Sequence, residues 1–101
     1  MKRTLLLVGL LSLSGIVGTA QAAGDAAAGK AKSDGCAGCH GANGQGTDGG
    51  PKLAGRPEAE LLQAMQDYKT GKRSSAVMKA LTSKLSDQDL ANLAAYYASL
   101  K

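Results

Sequence analysis

The sequence predicts an all-α domain, and three observations carry that reading. No segment alternates apolar and polar residues with the period of two that a half-buried strand requires. Leu90, Leu93, Ala94 and Tyr97 recur at i, i+3, i+4 and i+7, the spacing of one helix face. Leu61, Leu62 and Met65 form a second apolar run, with Pro57 before it and Gly71 after it. Proline near the start and glycine past the end is the asymmetry that helices favour. About three main helices, short turns and long irregular connections account for the chain.

Residues 1–22 read as a secretory leader that is removed. Lys2 and Arg3 supply the positive start, a Leu-rich and nearly uncharged stretch follows, and Ala20-Gln21-Ala22 is a small-x-small cleavage signal. The competing reading is an uncleaved anchor. The apolar stretch is short for a full span, and Gly9, Ser12, Ser14 and Gly15 dilute it. The expected domain is residues 23–101, exported to the periplasm of a Gram-negative source, with no stable membrane insertion after cleavage.

The remaining elements follow in order. Asp25 suits a helix N-cap, and the alanines after it favour helix. Gly29 inside that helix costs about 1 kcal/mol relative to alanine unless close packing demands it. Residues 41–50 hold five glycines and nothing apolar larger than alanine, which makes a loop. Pro57 is placed at the first position of the second helix, where Glu58 and Glu60 favour the positive end of the dipole. Residues 72–75 are a polar connection, and residues 76–85 hold one or two short helical turns. Ser86 then caps a final helix, with Asp89 at the third position.

Size and composition sharpen the question of what fills the core. The chain has 101 residues, 3 Tyr, no Phe and no Trp. So small a domain normally needs a disulfide, a metal or another staple, and large rings normally dominate burial. The net charge of +4 falls to +2 over residues 23–101, because Lys2 and Arg3 lie in the leader. That mild excess suits acidic partners and excludes a nucleic-acid protein, as there is no arginine-rich run and no aromatic platform for bases.

Both cysteines and the single histidine fall in five residues, Cys36-Ala37-Gly38-Cys39-His40. C-x-x-C-H is the attachment motif of c-type haem. Two thiols at that spacing add to the two vinyl groups of one haem, and the next residue supplies an imidazole to the iron. The chain is expected to leave a helix here, with Gly35, Gly38 and Gly41 letting backbone lie against a flat ring. Three rivals compete. Exported cysteines often pair in a disulfide. A thioredoxin-like dithiol needs a strand before the motif and a sheet around it. A structural zinc needs further ligands, and no second cysteine pair or histidine exists. Export, the motif and an aromatic-poor core favour one haem c, covalent through Cys36 and Cys39.

The segments GDAAAGKAKSDGCAGCHG, PKLAG and LSDQDLANLAAYYASL together resemble class I c-type cytochromes. The resemblance is nearest to small bacterial monohaem members and to the single-haem halves of bacterial dihaem cytochromes c. It implies a cytochrome c-like fold in which the first and last helices touch near the haem edge. Gly29 is then the residue of closest approach, with Tyr97 or Tyr96 across from it. Ser33 departs from the aromatic residue that many mitochondrial-type members carry nearby.

Electron-transfer haems are commonly held by His and Met. Met65 sits on an apolar helix face, where filling the core is its ordinary role. Met78 follows the polar connection, the segment from which the resembling family draws its ligand, so His40 and Met78 are the expected iron ligands, against the alternatives of a five-coordinate iron or a lysine such as Lys79. The resemblance also assigns the Pro51 backbone carbonyl as acceptor for the His40 Nδ1–H. Leu53, Leu62, Val77, Leu81 and Leu93 are candidate haem-wall residues. Arg56 and Arg73 are candidates for the haem propionates, against the plainer reading of solvated surface charges. Lys30, Lys32, Lys52, Lys69, Lys72, Lys79 and Lys84 are candidates to guide acidic redox partners.

The expected function is a one-electron carrier with redox-partner proteins as donor and acceptor. The alternative is the haem-bearing subunit of a dehydrogenase complex such as a flavocytochrome. A third reading, a gas sensor or peroxidase, requires an open iron position, which two axial ligands would deny.

Overall fold

A computed structural model describes residues 24–101, so the expected leader and its cleavage lie outside the described residues. Five helices follow in order: α1 (Ala26–Lys32), α2 (Asp34–His40), α3 (Glu58–Thr70), α4 (Ala76–Ser83) and α5 (Asp87–Ser99). The described residues contain no strand, only one isolated bridge between Thr47 and Gly50. The all-α expectation holds, but the helices are five rather than about three.

Two local causes explain the difference. The first expected helix breaks at Ser33, whose N–H and Oγ both donate to the Lys30 carbonyl, at 3.1 and 2.8 Å. A side chain that bonds its own backbone in this way competes with helix continuation. The Cys36–His40 motif therefore occupies the end of a separate short helix, and the chain leaves that helix after His40, as expected. At α4, Ser75 accepts the Met78 N–H at 3.1 Å and caps the expected helical turns, which form an eight-residue helix counted as an element of its own.

The other ends match their capping residues. Asp25 Oδ1 accepts the N–H groups of Ala27 and Ala28 at 2.9 and 3.2 Å. Ser86 and Asp89 form a reciprocal capping box on α5. Pro57 is the N-cap of α3, one residue earlier than its expected place. Gly71, at φ +86°, closes the same helix in the left-handed conformation.

Helix α5 is the spine of the domain. Its Leu90, Leu93 and Ala94 are wholly buried, and it packs on both α1 and α3. Close approach to α1 rests on two glycines. A Cβ on Gly29 would collide with the Asn92 carbonyl and stand 2.8 Å from the Tyr96 Cβ, and one on Gly24 would strike the Ala91 carbonyl. Of the two tyrosines expected opposite Gly29, Tyr96 is the one in contact. Asn92 is buried on the same face, where its Oδ1 accepts the Asp25 N–H at 2.8 Å and ties the start of α1 to α5. Helix α3 also packs on α4, and Lys69 Nζ donates to the Leu85 carbonyl at 2.6 Å, fixing the corner between α4 and α5. No helix among the described residues is long and apolar enough to cross a membrane.

Candidate functional site

Cys36 and Cys39 stand one turn apart on α2, so both sulfurs lie on one face. Neither is paired with another cysteine among the described residues. His40 ends the helix and is only 7% exposed. Gly41, at φ +93°, then turns the chain back across the motif. The Gly46 N–H donates to the His40 carbonyl at 2.7 Å, and the Thr47 hydroxyl donates to the Cys39 carbonyl. Thr47 and Gly50 exchange backbone hydrogen bonds at 2.9 and 3.2 Å, which closes a tight turn.

That turn delivers the Pro51 carbonyl oxygen to 2.7 Å from His40 Nδ1. A carbonyl only accepts, so the proton belongs on Nδ1 and the lone pair on Nε2. The approach requires a residue without a side chain at position 50. A Cβ there would stand 2.9 Å from His40 Cε1 and Nδ1 and 3.0 Å from the Cys39 carbonyl oxygen.

His40, Cys36 and Cys39 open onto a cavity of about 380 Å³ that α3, α4, α5 and the glycine loop complete. That is within the range of cofactor sites. Met78 of α4 lines it, and so does Met65 of α3, which also packs against the core cluster as expected. Leu53, Val77, Leu81 and Leu93 are also at the wall, whereas Leu62 is not and packs against the core cluster instead. Val77 is 61% exposed, so its side chain borders the mouth.

Arg56 and Arg73 both reach the cavity lining, each already engaged. Arg56 Nε donates to Glu60 Oε1 at 2.8 Å, and the Arg73 guanidinium lies 4.7 Å from the Tyr68 ring centroid. None of the seven candidate lysines lines the cavity. Lys32 instead faces Asp89 at 3.6 Å, and Lys69 faces Asp87 at 3.4 Å.

Several polar wall residues were not singled out from the sequence for this cavity, among them Tyr68, Thr82 and Tyr97. Tyr68 continues the Leu61–Met65 face at i+7, and Thr82 follows Met78 at i+4, so helical spacing was the available signal. Thr82 Oγ1 donates to the Met78 carbonyl at 2.7 Å. Burial raises the Cys36 thiol above its ordinary range, partly offset by Tyr97. Burial, and then the Cys36 sulfur, push the Tyr97 phenol well above its own. The Tyr97 hydroxyl is buried without a hydrogen-bond partner of proper geometry among the described residues.

Two thiols on one helix face, an imidazole fixed with Nε2 free, two thioethers and apolar walls suit a flat, apolar metal-bearing ring. These features define the class as a c-type haem domain. Residues 26–101 match the family described as Cytochrome c, and the chain belongs to that family. It accordingly binds a covalent c-type haem, with Cys36 and Cys39 at the C-x-x-C-H spacing. The chain is 55% identical over 97 residues to cytochrome c4 of Pseudomonas aeruginosa, covering 95% of this chain and 48% of that protein. It is 41% identical over 68 residues to a thiosulfate dehydrogenase electron acceptor of Thiomonas intermedia, covering 65% of this chain and 31% of that one. The solved cytochrome c4 of Acidithiobacillus ferrooxidans superposes with a TM-score of 0.73 at 26% identity, over 80% of this chain and 53% of the other. The chain spans about half the length of the cytochrome c4 relatives it matches.

Proposed function

We propose that this chain is a one-electron carrier of the periplasm, with Cys36 and Cys39 holding the haem and His40 and Met78 as its iron ligands. The single observation that carries the reading is that His40 and Met78 open onto one apolar cavity, with His40 held by Pro51. When bound, the haem supplies an iron that changes charge by one. The protein's part is to keep both ligands still. The Pro51 carbonyl fixes the imidazole, and its acceptor character leaves Nε2 for the iron. Ser75 takes the Met78 N–H while Thr82 donates to the Met78 carbonyl, so the Met78 backbone is held from both sides.

A thioether ligand favours ferrous iron and a higher potential than a harder ligand would. Leu53 contributes to the wall that excludes water. Arg56 and Arg73 lie where charged hydrogen bonds to propionates are available, Arg56 by exchanging Glu60 for a propionate. Export rests on the leader in residues 1–22. The likeness to a thiosulfate dehydrogenase electron acceptor favours a second reading, in which the haem takes electrons from a dehydrogenase bound as a partner. Co-purification with a larger dehydrogenase separates that reading from a free carrier.

The test is spectroscopy on the exported holoprotein. A pyridine haemochrome of c type, a mass above the bare polypeptide and a weak far-red band in the oxidised protein are expected. Met78→Ala should abolish that band and let the reduced protein bind carbon monoxide. Survival of the band in Met78→Ala excludes Met78 as ligand, and a colourless mature product overturns the haem reading altogether.

A further inference from the structure

The Tyr97 hydroxyl is the one buried side-chain polar atom among the described residues that lacks a hydrogen-bond partner. Tyr97 is only 2% exposed, and its ring is wedged tightly. It lies 5.0 Å, centroid to centroid, from the Tyr96 ring, and its Cδ1 would stand 2.6 Å from a Cβ on Gly44. The phenol oxygen therefore has little freedom to seek a partner elsewhere. Native proteins rarely leave such a group unmatched without a reason.

Tyr97 and Cys36 line the same cavity, and Ser33, three residues before Cys36, is buried as well. Ser33 donates its hydroxyl proton to the Lys30 carbonyl at 2.8 Å; its oxygen can still accept, but the Tyr97 hydroxyl makes no hydrogen bond to it. Cys36 packs against the core cluster that contains Tyr97. A free thiol can donate as well as accept, so it offers a phenol no dedicated acceptor. Attachment changes that. The Cys36 S–H adds across a vinyl double bond: sulfur bonds one vinyl carbon and the thiol hydrogen goes to the other, with no net oxidation. The resulting thioether sulfur keeps its lone pairs and has no proton, so it can only accept.

We propose that Tyr97 is a positioning residue for the haem linkage, its hydroxyl donating a hydrogen bond to the Cys36 sulfur once that sulfur is a thioether. Attachment leaves that sulfur with lone pairs and no proton, a dedicated acceptor for the buried hydroxyl. Tyr97 thereby couples α5 to the attachment helix α2 at the covalent bond itself. The proposal rests on the haem reading above and goes beyond it in assigning a donor to one of the two sulfurs.

Resonance Raman spectroscopy of the oxidised holoprotein in H2O and D2O tests this. A thioether has no exchangeable proton of its own, so solvent deuterium can shift its carbon–sulfur stretch only through a donor. The native protein should show a deuterium shift of one carbon–sulfur band. Tyr97→Phe, which removes a single oxygen, should still attach haem, lose that shift and move the band. Ser33→Ala, which removes the other neighbouring hydroxyl, should retain the shift. Absence of the shift in the native protein, its persistence in Tyr97→Phe, or its loss in Ser33→Ala overturns the proposal while leaving the haem reading intact. A protein without a pyridine haemochrome overturns both.

Discussion

His40 Nδ1 and the Pro51 carbonyl oxygen lie 2.7 Å apart, eleven residues from each other in the chain. The contact joins the last residue of the attachment helix to the first residue after the Thr47–Gly50 turn, so the glycine loop and the imidazole orient each other. Gly50 makes the approach sterically feasible.

Gly50→Ala should therefore misplace the histidine. A methyl group 2.9 Å from two ring atoms forces either the loop or the ring to shift, at a cost of about 1–3 kcal/mol. Thermal unfolding of the holoprotein measures the loss, and the reduction potential should change with it because a ligand's hydrogen-bonded support has moved. An unchanged potential and midpoint would show that the turn absorbs the methyl group.

Gly29→Ala should be more damaging, because the obstacle is the backbone carbonyl of Asn92 rather than a side chain. The methyl group has no rotamer that escapes, and α1 must lift from α5. Overpacking of this kind costs about 3 kcal/mol or more. Denaturant unfolding should show a lowered midpoint. A wild-type midpoint would refute the close approach of the two helices.

Ser75→Ala removes the acceptor for the Met78 N–H, 3.1 Å away. Loss of such a cap costs about 1 kcal/mol. Because the frayed turn carries Met78, the far-red band should disappear at a lower pH on alkaline titration than in the parent protein. A band that titrates as in the parent would separate the cap from the ligand.

Asp89 governs an acid-sensitive part of the stability. Its carboxylate accepts the Ser86 N–H at 3.0 Å, and Lys32 lies 3.6 Å away, so its pKa is held below the ordinary 3.8. A carboxylate whose folded pKa is depressed adds stability above the unfolded value and loses it as pH falls through the folded one. The contribution should thus be intact above about pH 4 and decline below it. Asp89→Asn keeps an acceptor for Ser86 but removes the charge, so its acid unfolding limb should be flatter than the parent's. Parallel limbs would show that Asp89 has no such role.

Much of the site was legible because its chemistry is contiguous. Cys36, Cys39 and His40 occupy five residues, and their spacing alone limits what they can hold. The cap at Ser86 and the apolar face of α5 were equally plain, since both are written in a single turn or in helical spacing. Other features depend on distant partners. Nothing local to Gly24 announces the Ala91 carbonyl, and Asn92 reads as a polar interruption of α5 until the Asp25 N–H is seen to end on it. Ser33 split a helix by bonding its own backbone, a choice that propensity leaves open.

The sequence by itself determined an all-helical domain built around a haem-attachment pentapeptide, because covalent spacing and helical periodicity are properties of neighbouring residues. Only the tertiary structure decided that Met65 reaches the cavity while Leu62 does not, and that the Tyr97 hydroxyl arrives unmatched beside Cys36. Those outcomes depend on how α3 and α5 are rotated against α2, and that rotation is set by close packing of surfaces far apart in the chain.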